Sequence, residues 1–177
     1  MRACLVLSER LIENMSVIIL LLTILLFSMT FSDSVMVNKV SRDKFLELHN
    51  AERRRVGTQP LVWNTTLARS SAAYAAKCIW EHSKGKYGEN LYRSRPRQND
   101  TVKLAENSVK SWLKEKPGKL GPDWPCLKDL QCGHYTQIVW NTTKTVGCAV
   151  AYCRGTNPNL VVCQYFPAGN IIGRKPF

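Results

Sequence analysis

Several features are scarce in this 177-residue chain. No internal repeat and no low-complexity linker divides it, which excludes an array of modules and leaves one domain with a sizeable core. Acids are few: 13 Asp and Glu stand against 25 Lys and Arg, a formal net charge of +12. That balance turns the chain away from cationic partners and toward anionic ones. No nucleic-acid recognition motif accompanies the charge, so nucleic acid is not among those partners. No two cysteines have C-x2-C spacing, the paired arrangement that a closed structural zinc site uses.

Long apolar runs are also missing, with one exception at the start. Val17 to Phe27 reads VIILLLTILLF, and the uncharged stretch from Met15 to Phe31 covers 17 residues, near the lower limit of a membrane span. Ser32-Asp33-Ser34 then resembles a small-x-small cleavage site. Residues 1–34 read as a secretory signal cut at Ser34/Val35, with a retained signal anchor as the alternative. Cutting there removes Arg2, Arg10, Glu9, Glu13 and Asp33, and leaves 23 basic and 10 acidic residues, a net +13. Such charge serves solubility, or attracts anionic cell-wall polymers or membrane surfaces. Arg53-Arg54-Arg55 is the densest basic run and reads as a solvated helix face.

Of seven cysteines, Cys4 falls in the signal. Cys78, Cys126, Cys132, Cys148, Cys153 and Cys163 remain, an even set that reads as three disulfides with 15 possible connectivities. Sequons at Asn64, Asn99 and Asn141 fit a glycosylated secreted chain.

Ser41 reads as the cap of a helix to about Val56, with Phe45, Leu48 and Ala51-Glu52 on one side. Gly57 ends it and Pro60 prevents a restart. Asn64 or Thr65 opens a second helix to about Cys78, whose small residues allow close packing. Asp100 caps a third, with Val102, Ala105, Val109, Trp112 and Leu113 at helical spacing. Pro117 to Pro125 is a loop. Val146–Cys153 and Leu160–Phe166 read as strands joined by the turn Thr156-Asn157-Pro158-Asn159. Helices first and strands late predict α+β layers around one core.

Cys132-Gly133-His134-Tyr135-Thr136-Gln137-Ile138-Val139-Trp140 and Glu81-His82-Ser83 supply two histidines far apart in sequence. Glu89 follows His82 closely. Glu115 stands three residues after Trp112, near the apolar side of the third helix, where a carboxylate needs a partner. His82, Glu89, Glu115 and His134 could bind a divalent metal such as zinc. They could equally form a hydrogen-bonded network that only shapes a cleft.

Gly133 to Trp140 together with Val146-Gly147-Cys148-Ala149 resembles the main motif of the CAP superfamily of cysteine-rich secretory, antigen-five and pathogenesis-related class 1 proteins. His82-Ser83 with Gly88-Glu89-Asn90-Leu91, Leu48 to Arg53, and Cys163 to Asn170 resemble its other motifs, so that the likeness covers about Val40 to Phe177. The cysteine spacing and short tail are similar to the plant class 1 group. The resemblance implies one domain over 35–177, a three-layer αβα sandwich. It implies pairings Cys78–Cys153, Cys126–Cys132 and Cys148–Cys163, and a cleft in which His82, Glu89, Glu115 and His134 converge. It also implies a monomer in the plant apoplast or cell wall.

What the resemblance implies for function is binding of sterol or another lipid, in defence against fungi or oomycetes. No cofactor is required, and zinc in the cleft is the one candidate. The loop Lys116 to Pro125 has a single aromatic, Trp124, and two lysines, fewer stacking walls than plant relatives use for sterol. A metal-dependent hydrolase is a further alternative, with Ser83 beside His82 a nucleophile by adjacency alone. Another is a precursor that releases Pro167–Phe177 as a defence peptide by cleavage at Phe166–Pro167. Here the family's usual Cys-Asn-Tyr-Asp is Cys163-Gln164-Tyr165-Phe166, which removes the Asp from that junction.

Overall fold

Asn38, not Ser41, opens the first helix. In a computed structural model, which describes residues 33–117 and 132–177, α1 runs Lys39–Arg55. The Asn38 side chain accepts from the Ser41 backbone N–H at 2.9 Å. Ser41 is instead buried, and its hydroxyl shares a hydrogen bond with that of Thr101 at 2.6 Å. The packed face of α1 is Ser41, Phe45, His49, Glu52 and Arg53, whereas Leu48 is partly buried and Ala51 exposed. The basic run is therefore split. Arg54 and Arg55 face solvent as expected, but Arg53 is fully buried. It donates to the carbonyls of Gln59, Ile138, Trp140 and Thr143 at 2.6–3.0 Å. A guanidinium has five donors and no acceptor, so it suits a place where several chain ends present carbonyls.

The other caps stand where the sequence places them. Asn64 accepts from Thr66 and Leu67 to start α2 (Thr65–Ala75), after the short strand β2 (Val62–Trp63). Asp100 accepts from Val102 and Lys103 to start α3 (Thr101–Leu113). Between them lies β3 (Gly88–Ser94), and after them α4 (Gly133–Val139), β4 (Thr145–Tyr152) and β5 (Asn159–Phe166). The chain enters the fold on β1 (Asp33–Met36), which pairs with β4 and spans the expected junction Ser34/Val35.

The sheet order is β1-β4-β5-β3, antiparallel throughout, with β2 added in parallel to β4. Both faces are covered. Val146, Cys148, Val150, Val161, Cys163 and Tyr165 point toward α1, α3 and α4. Leu91, Ala151, Leu160 and Val162 point toward α2. Burial on both faces explains why β4 and β5 read as nearly continuous apolar runs. α2 sits close because Gly147 has no side chain: a Cβ there would lie 2.2 Å from the Ala68 nitrogen. The result is a mixed α+β fold layered αβα. Two disulfides tie it, Cys78–Cys153 from the end of α2 to the end of β4, and Cys148–Cys163 across β4 and β5. Cys132 is disulfide-bonded as well, while Cys126, its expected partner, lies outside the described residues. So do most of the expected signal and most of the Trp124 loop. Among the described residues no helix is long and apolar enough to cross a membrane.

Candidate functional site

β3 is an edge strand, and the four polar residues gather around its open edge. Glu89 lies in β3 opposite Gln164 of β5. Its side chain is 4% exposed. The carboxylate accepts from His82 Nδ1 at 3.1 Å, the Ser83 backbone N–H at 2.8 Å and Gln164 Nε2 at 3.0 Å. On the other side, Glu115 follows the last turn of α3. It takes the His134 backbone N–H at 3.0 Å and His134 Nδ1 at 2.6 Å. Cys132 offers no side-chain cap to α4, so this carboxylate satisfies a free N–H of the helix from a different element. The structure thus brings the four residues together as two His–Glu pairs, with ring centroids 6.4 Å apart.

Each pair differs in setting. His82 is more than half exposed, and the hydrogen bond to Glu89 lifts it above the ordinary 6.5. Burial pushes Glu89 up, but the bonds from His82, Gln164 and Ser83 outweigh it and hold the carboxyl below the ordinary 4.5. His134 is stacked on Trp112 at 6.1 Å and 18°, while the Trp112 indole N–H donates to the Leu91 carbonyl. Asn90 Nδ2 holds the His134 carbonyl at 3.0 Å.

With both Nδ1 atoms occupied by carboxylates, Nε2 is the atom each ring offers a ligand. Carboxylate–imidazole pairing of this kind orients a metal-binding histidine. No cluster of three or more His, Cys, Asp or Glu able to hold an ion occurs among the described residues. A zinc ion here would therefore take His82 and His134 as its protein ligands, with Glu89 and Glu115 orienting them. The Ser83 hydroxyl accepts from the Gly85 N–H at 3.4 Å, and the adjacent imidazole is turned to Glu89.

Two supports escaped the sequence reading. Gln164 is buried in β5 directly after the apolar run Leu160–Cys163, and a buried amide there demands a partner. Trp112 reads as a core residue from spacing alone, and its second role as a platform for His134 has no local signature. Of the sequons, Asn99 and Asn141 are exposed, and Asn64 is partly buried with its Oδ1 committed to the α2 cap.

The tail after β5 is tied down. The Phe166 carbonyl accepts from Lys144 at 3.0 Å, and the Pro167 carbonyl from the Thr143 hydroxyl at 2.9 Å. Asn170 bonds Thr136 and Gly133 on α4, and the Pro176 carbonyl accepts from Asn141.

A three-layer αβα domain with paired His–Glu groups at the open sheet edge defines the class. The chain belongs to the cysteine-rich secretory protein family, CAP, which matches residues 46–165. It is similar to pathogenesis-related protein 1C of Nicotiana tabacum, 36% identical over 171 residues that cover 94% of this chain and 98% of that one. It is likewise 36% identical to pathogenesis-related protein PRMS of Zea mays over 141 residues, 77% of this chain and 83% of that one. Among solved structures, NaASP2 with Zn2+ superposes with a TM-score of 0.73 at 30% identity, over 80% of this chain and 87% of that one.

The His82–Glu89 pair should leave a pH signature. His82 is raised, so its contribution to stability is present below 6.5 and fades as pH climbs through its folded value. Glu89 is lowered, so its contribution is present above 4.5 and fades as pH falls through its folded value. The pair contributes fully between those two values. Thermal melts across pH should show His82→Gln losing most stability in that window. An equal loss at alkaline pH would mean that the pair is not what His82 contributes.

Proposed function

We propose that this protein is a secreted defence protein of the pathogenesis-related class 1 type, acting against fungi or oomycetes by binding sterol or another lipid. The observation that carries the reading is the correspondence with a tobacco pathogenesis-related protein over nearly the whole of both chains. Withdrawing sterol from a pathogen membrane requires no chemistry, only capture. The basic surface adds attraction to anionic cell-wall polymers or membrane surfaces. The direct test is lipid extraction from the secreted protein followed by mass spectrometry. A bound sterol or fatty acid supports capture. A lipid-free protein carrying a metal would move the hydrolase reading to first place.

Zinc is the ion to test in the cleft, as NaASP2 was solved with it. At about 100 times its Kd, a ligand that binds only the folded state stabilises by about 2.7 kcal/mol. Added zinc should therefore raise Tm, and His134→Ala should abolish the rise. An equal rise in the variant would place zinc elsewhere.

The precursor reading is disfavoured by the bonds that hold the tail. A protease must draw Phe166–Pro167 out of a carbonyl-bonded strand end and accept proline after the cut, where the ring removes the amide donor. The protein should stay uncut in plant extracellular fluid, while Phe166→Asp, which restores the Asp, should release Pro167–Phe177. Efficient release from the unaltered chain, seen by mass spectrometry, would reverse this order.

A further inference from the structure

We propose a second binding site, on the α2 face of the sheet, that takes a small hydroxylated aromatic acid. The site is a cavity of about 330 Å³ between α2, the Ser83–Tyr87 loop and Gln164. It goes beyond lipid capture, because it is a separate cavity at the small end of ligand pockets, a size that admits a single-ring acid.

Three features of the wall set the ligand's chemistry. Tyr74 and Tyr87 supply aromatic surface, and Tyr87 is braced edge-on against Phe166 at 6.2 Å. Lys77 and Lys86 lie 5.5 and 5.3 Å from those two rings, and neither forms an ion pair among the described residues. An aromatic body flanked by ammonium groups calls for a flat ligand with a carboxylate. The third feature is Gln164, which is 3% exposed. The Glu89 carboxylate can only accept, so the Gln164 amide must present Nε2 to it. Its Oε1 is then left buried with no hydrogen-bond partner among the described residues. A ligand hydroxyl supplies the missing donor. Gln164, one of the residues by which this chain departs from Cys-Asn-Tyr-Asp, lines this cavity, and Phe166, another, packs against its Tyr87 wall.

Gln164 connects this cavity to the His82–Glu89 pair, because Glu89 and Gln164 are directly opposite on β3 and β5 and share one face of the sheet. Its Nε2 holds Glu89, and Glu89 holds His82. A donor on Oε1 polarises the amide and strengthens the Nε2 bond to Glu89, as hydrogen bonds in a chain reinforce one another. Occupation of the α2-face cavity is therefore felt at the His82 ring.

The test is an NMR titration of the full secreted protein with para-hydroxybenzoate, and with benzoate as the control lacking the donor. Expected are shifts at Tyr74, Tyr87 and the Gln164 side-chain amide, with a concerted shift at the His82 ring. Benzoate should bind about tenfold more weakly, the value of one hydrogen bond to an otherwise orphaned acceptor. Ala73→Trp, which fills the cavity from the exposed side of α2, should abolish binding and leave the His134 ring signals unchanged. Lys77→Gln with Lys86→Gln should weaken it through loss of the charges. No shift at saturating probe, equal binding of the two acids, or full binding by Ala73→Trp would each overturn the proposal.

Discussion

Arg53→Ala should lower unfolding stability by about 3–5 kcal/mol, among the largest effects of any single substitution in this fold. The size follows from the accounting of acceptors. Four carbonyls, those of Gln59, Ile138, Trp140 and Thr143, take their donors from one guanidinium. Each charge-assisted bond contributes about 1.5–3 kcal/mol, and removing the donor strands several acceptors in a buried place. Burial lowers the Arg53 pKa to about 10, still above neutrality, so the group is charged when it makes these bonds. The carbonyls belong to the turn after α1, the end of α4 and the approach to β4, so the substitution loosens three connections together. Arg54→Ala should cost within about 0.5 kcal/mol, since the residue is exposed. Arg55 pairs with Glu52 from a side chain that is largely in solvent, which limits its worth to about 0–1 kcal/mol. Urea midpoints for the three variants test the ranking. A loss under about 1 kcal/mol for Arg53→Ala would show that the four bonds are replaced without cost by water.

Loss of the Cys78–Cys153 disulfide should cost on the order of 4–5 kcal/mol. It joins residues 75 apart, whereas Cys148–Cys163 joins residues 15 apart. In the chain-entropy account the shorter loop is worth about 3 kcal/mol. The paired variant Cys78→Ser with Cys153→Ser should therefore melt below Cys148→Ser with Cys163→Ser. The opposite order has a distinct meaning. Cys148 and Cys163 are wholly buried between β4 and the helices of the larger core. If their loss cost more, packing and the burial of serine hydroxyls would outweigh loop closure.

The starts of α2 and α3 were legible in the sequence because a cap is a local event, whereas α2 stops at Ala75, short of the expected Cys78. Asn64 and Asp100 each accept from N–H groups two and three residues ahead, and nothing distant is needed. The β4–β5 hairpin was legible for a similar reason: two apolar runs separated by turn residues have few alternatives. By contrast β3 was not read as a strand. Gly88-Glu89-Asn90-Leu91-Tyr92-Arg93-Ser94 has no apolar alternation, because its buried Glu89 and Asn90 are polar groups that bond Gln164 and, through Asn90 Nδ2, the His134 carbonyl. α4 was missed because seven residues are too few to show a helical period.

The chain alone determined the α+β class, the caps of two helices and the motifs that mark the family. All of these rest on neighbours a few residues apart or on patterns that survive without contacts. Only the tertiary structure decided which arginine of three is buried, and that each histidine pairs with a carboxylate rather than with its sequence neighbour. Arg53 meets acceptors 85, 87 and 90 residues away. Glu89 meets Gln164 from 75 residues away. A buried polar group is stable only where its partners converge, and that convergence belongs to the packing of the layers, which no local pattern records.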